Sequence, residues 1–212
     1  MKYLVITLTL ASILILNTTQ SYAGWLFYHK SGFKGKVIDA DTKEPIEGAV
    51  VVVAYQKSTY DLVDWKSNIS VIEVKETLTD KSGLFHIPSY TTLLQPMSTG
   101  SYATFIIYKP GYGNYPKSPV IPHGIFADDV EKFFSKETGS TGKLDMFVKD
   151  EKGFKYIMSE FIFGIVELSK SKSKEDSVNT MPSPVSNIEN KKQQLFIQLL
   201  NEERKSLGLA PI

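Results

Sequence analysis

The sequence predicts a mainly β protein, an antiparallel β-sandwich followed by a C-terminal helical extension. Between residues 33 and 112, short apolar runs alternate with turns rich in Gly, Pro and Asp, which is typical of a domain built from short strands. Two of these turns, at residues 39–48 and 80–83, each separate one apolar run from the next. Near the C-terminus, apolar residues instead recur at three- and four-residue spacing, the pattern of amphipathic helices.

The first 23 residues carry the pattern of a secretory signal peptide. Lys2 precedes an apolar run from Leu4 to Leu16, and Ser21 and Ala23 are small residues at the positions that a signal peptidase reads. The run is shorter than the roughly 20 residues of a membrane-spanning helix. We therefore predict cleavage after Ala23, export to the periplasm or beyond, and no transmembrane span in the mature chain. The short, weakly charged start is typical of bacterial signals.

Residues 24–150 are predicted to form the sandwich with loop insertions. Phe33–Asp39 alternates between apolar and polar residues, which predicts a half-buried strand. The continuous β-branched run at 49–55 predicts a strand in the middle of the core. Gly83 is predicted to close its turn with a positive φ, which Lys81 and Ser82 would resist. Further strands are predicted at 71–78, 84–87, 102–108 and 144–148, a short helix at 128–137, and long loops at 56–70 and 88–101.

Residues 151–212 are predicted to form a helical tail. Apolar residues from Phe154 to Leu168 recur at helical spacing, which predicts a helix with one broad apolar face. The segment 169–187 is rich in Ser, Lys and Pro, which predicts a flexible linker. A second helical pattern covers 187–207, with Gly208 as its predicted C-cap and Pro211 beyond it.

Composition restricts both the core and the partners. The chain contains no Cys, so an exported protein of this sequence must fold on an ordinary hydrophobic core without disulfides. Removal of Lys2 with the signal peptide takes the 24 basic residues to 23, equal to the 23 acidic residues, so the mature chain has no net charge. A nucleic-acid-binding protein normally carries a basic excess, and we therefore predict no nucleic-acid partner.

The strand-and-turn pattern resembles the carboxypeptidase regulatory-like family. The first half of the family pattern is matched by Gly35, Val37, Asp39, Thr42, Pro45, Ile46, Gly48, Ala49, Val51 and Val53. The second half is matched by Thr79, Asp80, Gly83 and Phe85, and the end by Gly111 and Tyr112. The match covers roughly residues 33–112, and extends to 148 if the strand predicted there closes the sandwich.

This resemblance implies a transthyretin-like (prealbumin-like, Ig-like) β-sandwich. It does not imply one activity, because the module occurs in proteins of many roles. The peptidase that often accompanies it needs paired His and Glu ligands for zinc. None of the three histidines, His29, His86 and His123, has such a partner in its local sequence.

Other catalytic motifs are also missing from the sequence. No Gly-x-Ser-x-Gly occurs, and a catalytic Cys is excluded. We therefore predict no cofactor and no catalytic residue. One enzymatic hypothesis stays open, a small periplasmic enzyme with a site that loops assemble near His86, His123 and Asp128, with Asp129 beside them. A second open question is whether Asp39 and Asp41 bind Ca²⁺ or accept backbone N–H bonds within their turn, and the turn favours the latter.

Aromatic residues are the remaining candidates for binding. Trp65, Tyr60, Tyr112 and Tyr115 lie in predicted loops or at strand ends, where exposed rings can stack on sugars or anchor a partner protein. The alternative is that they cover the open ends of the sandwich. Because local catalytic motifs are missing, the sequence favours an exported, non-catalytic module of the bacterial cell envelope that binds a protein or a glycan.

Overall fold

The computed structural model describes residues 27–61, 66–94, 98–116, 127–150 and 153–212. Over these residues the protein is mainly β with a helix at its C-terminal end, which confirms the predicted fold class. The strands are β1 (Phe27–Lys30), β2 (Phe33–Asp39), β3 (Val50–Asp61), β4 (Lys66–Leu78), β5 (Leu84–Ile87), β6 (Tyr90–Leu93), β7 (Ser98–Gly100), β8 (Thr104–Tyr108), β9 (Asn114–Tyr115), β10 (Thr141–Asp150), β11 (Gly153–Ile162) and β12 (Ile165–Leu168). The helices are α1 (Ala127–Ser135), α2 (Lys174–Thr180) and α3 (Gln194–Leu207), with a 3-10 helix at Asn190–Lys192.

Two sheets form the sandwich. The large sheet has the order β4-β3-β8-β9, with β7 paired to the far end of β3. The small sheet has the order β12-β2-β5. Its β2–β5 pair is antiparallel, whereas β12 runs parallel to β2. Two further antiparallel pairs, β1–β6 and β10–β11, are separate two-stranded sheets.

The main core lies between the two sheets. Phe33 and Val37 of β2 pack with inward-facing side chains of β3 such as Val51 and Val53. Helix α1 adds Phe133 and Phe134, and the Phe134 ring centroid lies 4.5 Å from that of Phe105. The helix predicted at 128–137 is therefore confirmed, and it is part of the core.

A second core covers the outer face of the large sheet. Val50, Val52 and Ala54 of β3 are buried there against Phe196 and Leu200 of α3. Strand β3 is consequently buried on both faces, as its continuous β-branched run predicts. Glu76 of β4 accepts the backbone N–H groups of Leu195 and Phe196 at 2.8 and 3.0 Å. A carboxylate of the sheet thus provides acceptors for N–H groups that have no partner within the first turn of α3.

The end of α3 is also as predicted. Gly208 has a φ of +81°, and its N–H donates to the carbonyl groups of Arg204 and Lys205. Near this end, the buried Glu203 carboxylate accepts the Tyr108 hydroxyl at 2.6 Å and the Gly111 N–H at 2.9 Å. The pKa of the Tyr108 phenol is raised far above its ordinary value, mainly by burial and to a smaller extent by the hydrogen bond to Glu203. The tail is therefore held to the sheet by hydrogen bonds as well as by apolar contacts.

The prediction of a helix over 154–168 is wrong. These residues form β11, which pairs with β10 along its whole length, and β12, which pairs with β2. Gly164, with a φ of +71°, breaks the run between the two strands. A dense run of apolar residues fits both the helical and the strand period, so the sequence pattern does not distinguish them. Pairing with β10 and β2 makes these residues strands. The domain boundary predicted at residue 150 falls at the tip of the β10–β11 hairpin, where Asp150 pairs with Gly153.

Both predicted long loops contain strands. Residues 56–61 continue β3 and residues 66–70 begin β4, while the stretch 88–101 includes β6 and β7. The polar composition that predicts loops arises because the distal part of this hairpin is largely exposed: Ser67, Asn68 and Ser70 all face solvent. Exposed strands of this kind carry no strong period of hydrophobicity.

The segment 169–187, predicted as a linker, contains helix α2. Ser173 caps this helix by accepting the Asp176 N–H at 3.1 Å. Farther along, the Val185 backbone exchanges hydrogen bonds of 2.8 and 2.9 Å with the buried Gln193 side chain. Across the described residues, no helix is both long and apolar enough to span a bilayer. The predicted signal peptide lies outside the described residues.

Candidate functional site

The outer face of the small sheet differs from that of the large sheet. On β5, Phe85 and Ile87 point into the core, whereas Leu84 and His86 point outward and are exposed. On β2, Lys34 is exposed and Lys36 and Ile38 are half-buried on the same outward face. Helix α3 buries the corresponding positions of the large sheet. The small sheet therefore presents apolar and basic side chains together at the surface.

A cleft of about 440 Å³ extends from this face to the edge strand β4 of the large sheet, and we call it the β5 cleft. Its lining consists of Lys34, Gly35, Thr77, Leu78, Asp80, Leu84, Phe85, His86 and Thr138. Leu78 and Leu84 are 42% and 44% exposed, which is a large fraction for leucines that share one cleft. Concave sites with an apolar lining and a few polar groups are the usual form of a binding site. This is the candidate site.

The outer edge of β5 offers few free backbone groups with which another strand could pair. The Val37 N–H donates to the Gly83 carbonyl at 2.8 Å, so alternation directs the backbone groups of Leu84 and His86 away from β2. Those of Leu84 are already used, because its N–H donates to the Asp80 carboxylate and its carbonyl accepts the Asp80 N–H, both at 2.9 Å. Pro88 ends the strand. A ligand here would therefore contact mainly side chains.

Lysines dominate the charge around the cleft. Lys34 and Lys36 lie on β2 opposite His86 and Leu84, and Lys81 lies exposed in the turn before β5. The one acidic residue of the lining, Asp80, turns its Oδ1 to the N–H groups of Ser82 and Leu84. The lining itself thus holds one lysine, Lys34, and one carboxylate, Asp80, and the positive charge added around it comes from Lys36 and Lys81.

Of the residues in the enzymatic hypothesis, the structure describes the side chains of His86 and Asp129. The His86 side chain is exposed on β5, whereas His123 and the Asp128 side chain lie outside the described residues. Asp129 is buried and pairs with Lys132 at 2.6 Å. In the described ranges, no three His, Asp or Glu side chains gather as metal ligands would. The hypothesis of a site at His86, His123 and Asp128 stays a prediction.

Asp39 accepts hydrogen bonds from its own turn, as that turn favours. Its Oδ1 accepts the N–H groups of Asp41 and Thr42 at 2.9 and 3.0 Å. Its Oδ2 accepts the Tyr112 hydroxyl at 3.1 Å and lies 3.4 Å from Lys170 Nζ. The Thr42 N–H bond, with those from Asp41, Tyr112 and Lys170, holds the pKa of this carboxyl well below its usual range despite burial. Asp39 thus joins β2 to the segments at residues 112 and 170.

We expect this carboxylate to make stability depend on pH. The pKa of Asp39 in the folded chain lies below the unfolded value of about 3.9, so its stabilisation is fully present above about pH 5 and is lost as the pH falls toward the folded pKa. Asp39→Asn should therefore be less stable than the wild type at pH 7 and should lose less stability on acidification. Urea midpoints between pH 7 and pH 2 test this expectation. Parallel curves for the two proteins would contradict it.

The three described aromatic candidates, Tyr60, Tyr112 and Tyr115, do not come together. Tyr115 is buried, with its ring 6.0 Å from that of Phe134, and Tyr112 is half-buried and bound to Asp39. Tyr60 is 55% exposed and lies ten residues beyond Val50 on β3, so roughly 33 Å from the Tyr112 end of the sheet. Trp65 lies outside the described residues. A binding role for Tyr60 and Trp65 stays a prediction.

Sequence reasoning missed Leu78 and Leu84. The sequence did contain a signal for Leu84, because strand alternation places it on the same face as His86 and opposite to Phe85. A leucine that shares a face with polar residues points outward. Leu78 lies opposite Val50 of β3, whose side chain belongs to the second core, so alternation places Leu78 on the outer face of the large sheet at its edge.

Comparison of the chain with family models, with curated proteins and with solved structures finds no match. The resemblance to the carboxypeptidase regulatory-like family therefore rests on the residues named above. The geometry of the β5 cleft is the basis on which a function can be argued.

Proposed function

We propose that this chain is an exported, non-catalytic binding module of the cell envelope that docks a partner protein at the β5 cleft. The observation that supports the proposal is the pair of exposed leucines, Leu78 and Leu84, in a cleft of about 440 Å³. Exposed apolar side chains that share a concave site are typical of interaction surfaces. The regulatory-like resemblance and the predicted signal peptide agree with this role.

The chemistry of the cleft favours a protein partner that carries apolar and acidic side chains. An apolar anchor would contact Leu78 and Leu84, and carboxylates would face Lys34 of the lining and Lys36 and Lys81 beside it. Buried apolar contacts supply affinity, while surrounding charges favour the correct partner and speed its association. Binding should therefore weaken as salt is added.

Selection from a random peptide library displayed on phage tests this proposal. We expect the enriched peptides to combine apolar with acidic residues. Their affinity for Leu84→Asp should fall at least about tenfold, because burying a leucine is worth about 1.5–3 kcal/mol and the new carboxylate would repel the peptide. Fluorescence anisotropy with a labelled peptide measures the change.

Leu93→Asp is the matched control. Leu93 is 67% exposed and lies on β6, in a different sheet from β5. The same substitution there changes charge and apolar exposure equally without touching the cleft, so peptide affinity should stay unchanged. Peptides that bind both variants as tightly as the wild type, or a library that yields no specific binder, would refute docking at this cleft.

A further inference from the structure

Strand β4 is unusual for the outermost strand of a sheet because it is long. It spans Lys66–Leu78, 13 residues, and within the described residues no strand pairs with its outer side. Outermost strands are normally short or protected, because their unpaired backbone groups can pair with another chain. The two halves of β4 differ in this respect.

The half of β4 nearest the core is protected. The Val74 N–H donates to the carboxylate of Glu73 at 2.9 Å, and Lys192 of the 3-10 helix pairs with the same carboxylate at 2.9 Å. Glu76 is bound to the start of α3. Side chains and the tail thus occupy this part of the outer side.

Among the described residues, nothing of this kind protects the distal half of β4, residues 66–72. The Ser101 N–H donates to the Gln56 carbonyl at 3.0 Å, so alternation along β3 directs Lys57 and Thr59 toward β4. The backbone groups of their partners, Ser70 and Asn68, are therefore hydrogen-bonded to β3. The backbone groups of Ser67, Ile69 and Val71 point outward. Residues 67–71 contain no charged side chain and no Pro, the usual obstacles to strand addition.

We propose that a second copy of this chain pairs antiparallel with β4 across a twofold axis at Ile69. In this register Ile69 lies opposite Ile69 of the second copy, and Ser67 lies opposite Val71. All three residues direct their backbone groups outward, so each opposing pair exchanges two hydrogen bonds. A twofold axis perpendicular to a sheet keeps each side chain on the same face, so the paired residues must both have odd or both have even numbers. This register pairs odd-numbered residues with each other.

The side chains on one face support the same register. Ser58 lies opposite Ile69 and Tyr60 opposite Ser67 within one copy, so Tyr60 and Ile69 are diagonal neighbours on one face. They are 55% and 54% exposed. Pairing would place Ile69 beside its counterpart and Val71 beside Ser67, forming one apolar cluster from both copies. No like charges would lie opposite each other.

The proposed dimer interface is small, so we expect its affinity to be low. Seven paired residues span roughly 23 Å, and a sheet edge of that length and about 10 Å thick covers roughly 230 Å² on each copy. Stable complexes bury about 800 Å² on each partner. The dimer should therefore be reversible, and should form in the micromolar range or above rather than persist at high dilution.

Sedimentation velocity of the purified chain from about 1 to about 500 µM covers the range in which so small an interface associates. We expect the wild type to shift from monomer to dimer as its concentration rises. Ile69→Lys should remain monomeric, since it places two ammonium groups side by side. Phe27→Lys is the matched control, because Phe27 is an equally exposed apolar residue, at 56%, on a different sheet, and it should dimerise as the wild type does.

The absence of cysteine from the chain allows a second readout that reports the register. Ile69→Cys should form an intermolecular disulfide on mild oxidation, because opposing residues of this kind lie about 5.5 Å apart between Cα atoms, within disulfide range. Leu93→Cys is the control for random collision. A chain that stays monomeric throughout, a dimer that survives Ile69→Lys, or equal cross-linking of the two cysteine variants would each overturn the proposal.

Discussion

Replacing Gly83 with alanine should lower the free energy of unfolding by about 3 kcal/mol or more, because it adds two kinds of strain. Gly83 has a φ of +74°, which L-residues adopt at a cost of about 1–2 kcal/mol. In addition, a Cβ at this position would lie 2.4 Å from the Val37 carbonyl oxygen. The strand cannot move away without breaking the bond from the Val37 N–H to the Gly83 carbonyl, which is 2.8 Å long.

Gly139→Ala separates these two causes. Gly139 also has a positive φ, +88°, but a Cβ there meets nothing within 4 Å. We expect it to destabilise by about 1–2 kcal/mol, the cost of the backbone conformation alone. Urea denaturation measures both variants. A Gly83→Ala loss within about half a kcal/mol of the Gly139→Ala loss would show that the contact with Val37 is not limiting.

Replacing Phe196 with alanine should destabilise the chain by about 3–5 kcal/mol, the usual range for a fully buried phenylalanine. The Phe196 side chain is completely buried, and its ring centroid lies 6.2 Å from that of Tyr108. Its loss would open the second core, which buries the β-branched side chains of β3 on the outer face of the large sheet. Chemical denaturation is the measurement.

The neighbouring Leu195→Ala is the control on the same helix. Leu195 is 37% exposed, and alanine has a high helix propensity, so its replacement should cost less than about 1 kcal/mol. Equal losses for the two variants would mean that α3 contributes through its helical structure alone and not through its packing on the sheet.

The sequence predicted the features that depend on local backbone chemistry. The positive φ of Gly83, the C-cap at Gly208 and the buried run of β3 all follow from side chains within a few residues of each position. Asp39 likewise bonds to N–H groups two and three residues ahead. Such features need no knowledge of distant pairing.

Features that depend on distant pairing were not predictable. The apolar residues of 154–168 fit a helix as well as two strands, and the partners that decided the outcome lie on β10 and β2. Tyr115 similarly became a core residue because Phe134 of α1 packs against it. The β5 cleft was not predicted either, since it depends on how two sheets meet and not on any motif.

Methyl NMR of the chain with a selected peptide tests the proposed binding site most directly. Docking at the β5 cleft predicts that the methyl signals of Leu78 and Leu84 shift on titration while that of the control residue Leu93 stays in place. Shifts at Leu93 with Leu78 and Leu84 unchanged would contradict the proposed site, because the peptide would then bind elsewhere on the chain.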